Sequence, residues 1–319
     1  MSLTAIPDSA ARNERARDHA VREDALGPIH EAVLDWYAAN GRDLAFRRTT
    51  DPWAVLVSEV MAQQTQAARA AEHWTRFMAQ FPTPAALAAA SPANVIRAWR
   101  GLGYNRRAVA LRAAAIRIVD DHEGHVPDSL EALVALPGIG PYTARAVLAF
   151  AFGRSVAPLD TNIRRVLERA LGPLPRAAPA LQAAADRFVP QSGAAWSHAL
   201  MDLGATICGP REQRCEACPI QAWCLAFTGR SEAATATAAP ESHRPRRART
   251  PAFPSTTRWL RGRIVDRLRD APDDAWVSFS GSLGGHSLEA VQLQIDRLAR
   301  DGMLEVGAQI GHCRLVTSR

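Results

Sequence analysis

Lysine is absent from this chain: all 38 positions counted as Lys or Arg are arginine. Chemistry that needs a side-chain amine, such as imine formation on a carbonyl carbon, is therefore excluded; only the N-terminal amine remains. Cysteine is scarce, with five in 319 residues. Nothing at the N-terminus resembles a secretion signal, so a disulfide-stapled exported scaffold is not expected. No run of 18 or more apolar residues occurs, which argues against a helical membrane span. Upstream of residue 225 no stretch alternates apolar and polar residues for long enough to read as a strand.

What is present points to a basic, largely helical protein. The formal net charge is +6 and the pI about 9.6, a balance that favours a polyanionic partner. A length of 319 residues allows about two domains. Residues 1–24 are polar, charged and aperiodic and read as a disordered arm. From Leu26 to about Cys224 the pattern is helical and Ala-rich. Phe81-Pro82, Ser91-Pro92, Gly101-Leu102-Gly103, Pro137-Gly138, Gly172-Pro173 and Gly209-Pro210 punctuate it. Residues 229–254 read as a flexible basic linker, with Arg244, Arg246, Arg247 and Arg249 among prolines. In 255–319, helical stretches at Trp259–Leu268 and Ser287–Arg300 precede two short strands around Met303–Val306 and Cys313–Val316, a winged-helix-like α+β pattern.

Four of the five cysteines fall in one short stretch, Cys208, Cys215, Cys218 and Cys224, spaced C-x6-C-x2-C-x5-C. One loop with four thiolates is a metal framework. The wide outer intervals suit an iron–sulfur cluster better than zinc, which favours two tight C-x2-4-C pairs, and zinc is in turn favoured over disulfides. His30, His73, His122, His125 and His198 show no pairing with carboxylates that suggests a metal site and read as structural.

A second local signal is Leu136-Pro137-Gly138-Ile139-Gly140-Pro141-Tyr142-Thr143-Ala144. Two glycines, Gly138 and Gly140, allow a tight bend and close approach of another molecule. A helix starting near Tyr142 offers free amides and a positive end, an anion site suited to a phosphate. Gly-x-Gly alone is equally compatible with a plain helix–helix turn.

With its surroundings, this segment resembles the helix–hairpin–helix of the DNA glycosylases that include endonuclease III. Leu159–Val166 resembles that family's aspartate segment, and the cysteine loop its four-iron cluster loop. Ser58-Glu59-Val60-Met61-Ala62-Gln63-Gln64-Thr65-Gln66 is similar to the adenine-specific, MutY-type branch. Gly101–Tyr104 and Ala199–Ala205 agree with that branch. The resemblance covers roughly Ile29 to Ala226. It implies a mainly α, two-lobed fold with one [4Fe-4S] cluster on the four cysteines. A glycosylase domain would span 25–228, with 25–49 and 158–228 as cluster lobe and 50–157 as helical barrel lobe. DNA would lie in the cleft between them.

The resemblance also implies roles. Glu59 lies in an otherwise apolar helix. A carboxyl group in such surroundings can hold a proton near neutrality and act as general acid, here toward adenine N7; a structural ion pair is the plainer reading. Asp160 would face the positive charge developing on the sugar, or capture it as a transient ester, and Asn162 would support it; a simple helix N-cap is the plainer reading. Tyr142 stands where lyase-type relatives carry their Schiff-base lysine. Gln63, Gln64 and Tyr104 are expected to contact the base stack; Glu59, Gln63 and Gln66 would share one helical stripe. Arg211 and Arg214 would meet phosphates from the cysteine loop. Solvated or packing positions are the alternatives for all of these.

There are departures from the family. Ala45-Phe46 replaces the usual Pro-Trp, Ala62 stands where a bulkier apolar wedge is common, and residues 255–319 show no match to the nudix-like domain many members carry. The expectation is a monomeric, cytoplasmic bacterial enzyme of base excision repair, without lyase activity. It would hydrolyse adenine from double-stranded DNA where adenine is mispaired with 8-oxoguanine or guanine. The competing readings are a thymine or uracil mismatch glycosylase of the same superfamily and a non-enzymatic iron–sulfur DNA-binding regulator with a winged-helix tail.

Overall fold

A computed structural model describes residues 26–191, 193–233 and 252–317. The expected N-terminal arm and residues 234–251 of the expected linker, including its four arginines, lie outside the described residues. The chain forms two compact units: one holds residues up to 43 together with 148–242, the other 44–147 together with 243–319. No helix among the described residues is long and apolar enough to cross a membrane.

The first unit, called the cluster unit after its four clustered cysteines, is built on α1 (Leu26–Asn40), α9 (Thr161–Ala170), α10 (Ala178–Arg187), α11 (Gly193–Thr206) and α12 (Leu225–Ala233). Ile29 and Val33 of α1, Ile163, Val166 and Leu167 of α9, and Trp196, Leu200 and Leu203 of α11 form its core. Ile220 adds the cysteine loop to that core, so the loop is anchored by apolar burial as well as by its thiols. Asp202 is fully buried and accepts from both the backbone and the side chain of Arg42, at 2.8 and 2.7 Å. The pair fixes the chain leaving α1 against α11, and removing one partner of such a pair would strand a buried charge. Among the described residues this unit has no strand beyond an isolated bridge between Cys208 and Gln213, as the absence of alternation implies.

The barrel unit begins with a short 3-10 turn, Ala45–Arg48, in which Phe46 is buried and meets Trp74 edge-on at 6.4 Å. Phenylalanine thus serves as the packing element at that position. α2 (Pro52–Ala62) follows, capped by Asp51, which accepts from the amides of Trp53 and Ala54. Every residue from Trp53 to Met61 is buried, as expected of a helix apolar on all faces. Around it stand α3 (Ala67–Gln80), α4 (Pro84–Ala89), α5 (Pro92–Ala98), α6 (Arg106–Asp121), α7 (Leu130–Ala135) and α8 (Pro141–Phe150). α4, α5 and α7 each start on a side-chain hydroxyl cap, Thr83, Ser91 and Ser129. In the first two a proline follows the cap directly: Ser91-Pro92 matches the punctuation read from the sequence, whereas Thr83-Pro84 starts α4 two residues beyond the expected break at Phe81-Pro82.

The tail comprises α13 (Thr257–Asp270), β1 (Val277–Ser278), α14 (Leu288–Arg300), β2 (Leu304–Val306) and β3 (His312–Leu315). Its sheet has order β1-β3-β2, all antiparallel. The two strands expected from sequence are present; β1 is not visible there, because two residues carry no periodicity. Cys313 is a buried core residue, its thiol pushed up to about 12 by burial, and serves as a small hydrophobe.

The tail's core does not close on itself. Leu260, Ile264, Val265 and Leu268 of α13 and Ile295 and Leu298 of α14 share one apolar cluster with Ala93 and Ile96 of α5. The amide of Ala93 donates to the Val316 carbonyl at 2.8 Å. Arg269, buried at the same seam, donates to the Ile96 carbonyl at 2.9 Å, Asn105 Oδ1 at 2.9 Å and Asp266 at 3.0 Å. Burial lowers the Arg269 pKa, with Asp266 opposing the shift. A guanidinium offers several donors in a rigid fork, which is how one side chain satisfies three acceptors there.

Candidate active site and cluster loop

Glu59 and Tyr142 belong to the barrel unit; Asp160, Asn162 and the four loop cysteines belong to the cluster unit. Glu59 is 7% exposed, between Ser58 and Val60 on the buried α2. α2 ends at Ala62, with Gln63 as its C-cap, Gln64 in the left-handed region at φ 57° and Gln66 as the N-cap of α3. The expected stripe of Glu59, Gln63 and Gln66 on one helix therefore does not exist. Chain reversal after Ala62 turns the glutamines out of the helix, so i+4 and i+7 spacing no longer applies. Gln63 instead donates to Thr143 Oγ1 at 3.2 Å, which joins the end of α2 to the helix–hairpin–helix.

That hairpin runs from α7 through Leu136–Gly140 into α8. Gly138 has φ 77°, and a Cβ there would meet Ala110 Cβ at 2.7 Å, so conformation and space both require glycine. Gly140 is different: its φ is ordinary and a Cβ would meet no atom within 4 Å. Only one of the two glycines makes the bend, and the other leaves the surface open. Tyr142 follows on the first turn of α8, half-buried.

Arg107 is a residue that sequence reasoning missed. Its Nη1 donates to the carbonyls of Val60, Met61 and Gln63, at 2.9, 2.9 and 2.5 Å, and its Nη2 to those of Leu102 and Gly103 at 3.1 and 3.0 Å. One guanidinium thus satisfies the orphan carbonyls at the end of α2 and binds them to the Gly101–Tyr104 loop. Burial is the main cause that lowers its pKa to about 10, with Tyr104 opposing and Arg258 assisting, so it stays charged at neutral pH. Nothing in the spacing of Asn105-Arg106-Arg107 marks it out; only the fold brings those carbonyls together. Tyr104 itself has φ 46° and is 42% exposed.

In the cluster unit, Asp160 caps α9, accepting from the Ile163 amide at 2.6 Å and from Asn162 Nδ2 at 2.8 Å. Asn162 Oδ1 accepts in turn from Arg165 Nη2 at 2.8 Å. Arg165 also donates to the carbonyls of Gly204 and Cys208, at 2.6 and 2.8 Å. α11 approaches α9 closely at Gly204: a Cβ there would lie 2.7 Å from Asn162 Cβ. The chain Asp160–Asn162–Arg165–Cys208 therefore links the carboxylate to the cysteine loop. Arg165 and Arg169 are further residues the sequence did not single out.

None of the five cysteines is paired in a disulfide in this structure. Among the described residues no group of three or more His, Cys, Asp or Glu closes around a single metal ion; a four-iron cluster spreads its thiolates over separate irons. Cys218 and Cys224 pack against the core. Burial pushes the Cys218 thiol up to about 11, the Ile220 amide opposing and the other three thiols adding to the shift. Cys224 is raised by burial too, opposed by the amides of Phe227 and Ala226. Four half-buried thiols on one loop, two of them with backbone amides at their sulfurs, fit a cationic multi-iron group that would offset thiolate charge. Arg169 Nη1 adds a contact to Cys208 Sγ at 3.3 Å. Arg211 and Arg214 lie exposed on the loop, with no ion pair among the described residues. The histidines expected to be structural are so where the contacts show it: His30 packs edge-on against Trp196 at 4.7 Å and His198 stacks on Phe150 at 4.1 Å.

A helix–hairpin–helix beside a buried acid, with a capped aspartate in the unit that carries four thiols, defines a class. Residues 57–191 match the model of the HhH-GPD superfamily of base excision DNA repair proteins. The chain is 44% identical over 279 residues to the adenine DNA glycosylase of Mycobacterium tuberculosis (strain CDC 1551 / Oshkosh), covering 82% of this chain and 88% of that one. It is 34% identical over 209 residues to the thymine-DNA glycosylase of Aeropyrum pernix, covering 62% and 94%. The fold matches a non-covalent endonuclease III–DNA complex with TM-score 0.57 at 20% identity, over 66% of this chain and 99% of that one. The chain belongs to the adenine DNA glycosylase family of the HhH-GPD superfamily, DNA glycosylases of base excision repair.

Proposed function

We propose that the protein is a monofunctional adenine DNA glycosylase acting, as a cytoplasmic bacterial monomer, on double-stranded DNA with adenine opposite 8-oxoguanine or guanine. The observation that carries this reading is Glu59, a carboxyl group buried in the apolar α2. A proton held there can pass to adenine N7, so that the base leaves neutral rather than as an anion. Asp160, held by an amide and by Asn162, would face the oxocarbenium-like sugar, and water or Asp160 itself would take C1′. Water adds its hydroxyl to C1′ as the C1′–N9 bond breaks, which leaves an abasic sugar in the strand and releases adenine. Tyr142 would hydrogen-bond near the sugar, and with no lysine side chain in the chain no imine-forming residue accompanies it.

Cys208, Cys215, Cys218 and Cys224 would hold one [4Fe-4S] cluster, which when bound pins the loop that presents Arg211 and Arg214 to phosphates. Gln63, Gln64, Tyr104, Gly138 and Gly140 would meet the DNA from the barrel unit.

A thymine-specific reading draws support from the Aeropyrum pernix relative, but pyrimidines have no N7 for Glu59 to protonate. A base-release assay over A·8-oxoguanine, A·G, T·G and U·G duplexes decides the substrate. Adenine release alone is expected, and release of thymine or uracil at a comparable rate overturns the reading; base release from none would favour a binding protein. Borohydride trapping with the N-terminal amine blocked tests the absence of lyase chemistry, and efficient capture would refute it.

A further inference from the structure

The tail adds a second side to the proposed DNA-contacting residues of the barrel, a side that the glycosylase reading does not use. A cavity of about 1580 Å³ opens in the barrel unit between the ends of α2 and α6 and the tail helices α13 and α14. Gln63, Gln64, Tyr104 and Gly138 line one side, and Phe253, Arg258, Arg297 and Arg300 the other. It exceeds the roughly 300–1,000 Å³ typical of small-molecule pockets, so a length of polymer suits it better than a metabolite.

Its chemistry is also that of a strand. Arg258 lies over the Tyr104 ring at 4.3 Å and near the Phe253 ring at 6.0 Å, and both aromatic residues are exposed, at 42% and 58%. A stacked ring and guanidinium facing solvent form a planar platform on which any base can stack. Around this platform Arg69, Arg258, Arg297 and Arg300 line the cavity without a carboxylate ion pair among the described residues. By contrast Arg261 is held by Asp301 at 2.6 Å. The Tyr104 loop is itself tied to the tail, through Asn105 and Arg269 at 2.9 Å.

We propose that the tail completes a nucleic-acid site, in which Tyr104 and Arg258 stack an unpaired base and Arg69, Arg297 and Arg300 take the flanking phosphates. This deepens the proposed glycosylase function and rests on it for the identity of the strand.

The test uses the full chain and a fluorescent duplex carrying a stable abasic-site analogue, with affinity measured by anisotropy at several salt concentrations. Removing one arginine from a phosphate should flatten the log–log salt dependence by about 0.9, so Arg297→Ala with Arg300→Ala should flatten it by nearly 2. Arg258→Ala and Tyr104→Ala should each weaken binding about 5- to 150-fold, and the double variant little more than either alone. Thermal unfolding checks the fold; should Arg258→Ala undock the tail, the Arg297/Arg300 pair on the exposed face of α14 carries the test. An unchanged salt slope in that pair overturns the site. If wild-type protein releases no base from any mismatch, the glycosylase reading fails independently of these slopes.

Discussion

The two units hold their proposed catalytic carboxylates in opposite ways. Glu59 is wrapped by an apolar helix in a packed barrel, whereas Asp160 sits half-buried at a helix start, bonded to an amide and to Asn162. In the proposed reaction, a site closed to water suits a proton donor, and donors that fix its oxygens hold Asp160 in place to face a cation. Under the proposed function, one residue chemistry would serve two roles because the surroundings differ. The supports differ as well. The barrel relies on packing and on Arg107, while the cluster unit runs a polar chain from Asp160 to the cysteine loop.

The largest effects should come from removing each carboxylate's charge chemistry. Glu59→Gln and Asp160→Asn are each expected to slow single-turnover adenine release about 10²–10⁴-fold while mismatch binding persists. Near-wild-type turnover in either variant would break the assignment of roles. Next, purified protein should carry about four irons per chain, and Cys→Ser at any of the four loop positions should cost cluster retention and DNA affinity. Zinc in place of iron in anaerobically prepared protein would overturn the cluster.

Gly204→Ala sharpens the comparison without touching a reacting group. The new Cβ would press on Asn162, and overpacking of this kind costs about 1–3 kcal/mol. Denaturant unfolding should show that loss and single-turnover assays a slower rate. A variant that is destabilised but chemically normal would show that Asp160 does not depend on its polar chain.

The smallest effect belongs to the barrel. Burial, and then the neighbouring Arg76, hold the His73 pKa below its ordinary value. A group depressed in the folded state contributes stability that is present above its unfolded pKa of about 6.5 and lost as pH falls toward the folded value. Thermal unfolding between pH 8 and pH 5 should show a slight acid loss in wild type that is reduced in His73→Asn; identical profiles would remove His73 from the account.

Much of this was legible in the chain. Four clustered cysteines, Pro-Gly-Ile-Gly-Pro-Tyr and the Ser91-Pro92 helix start are local codes, since caps, tight turns and loop thiols act within a few residues of one another. The same locality explains why Asp160 could be read as a cap. It also explains the error at Gln63 and Gln66: extending the periodicity of α2 past Ala62 took no account of a chain reversal held by Arg107, far along the sequence on α6.

By itself, then, the sequence determined the helical class, the four-cysteine loop, the hairpin and the family, because each rests on residue types at short spacing. Tertiary structure decided the rest. Arg107 gathering the carbonyls at the end of α2, Arg165 joining Asn162 to Cys208, Gly204 yielding to Asn162, and a tail that finishes its core on α5 and lays Arg258 over Tyr104 all bring distant segments together. Their energies depend on burial and donor geometry, which exist only once the chain has closed around them.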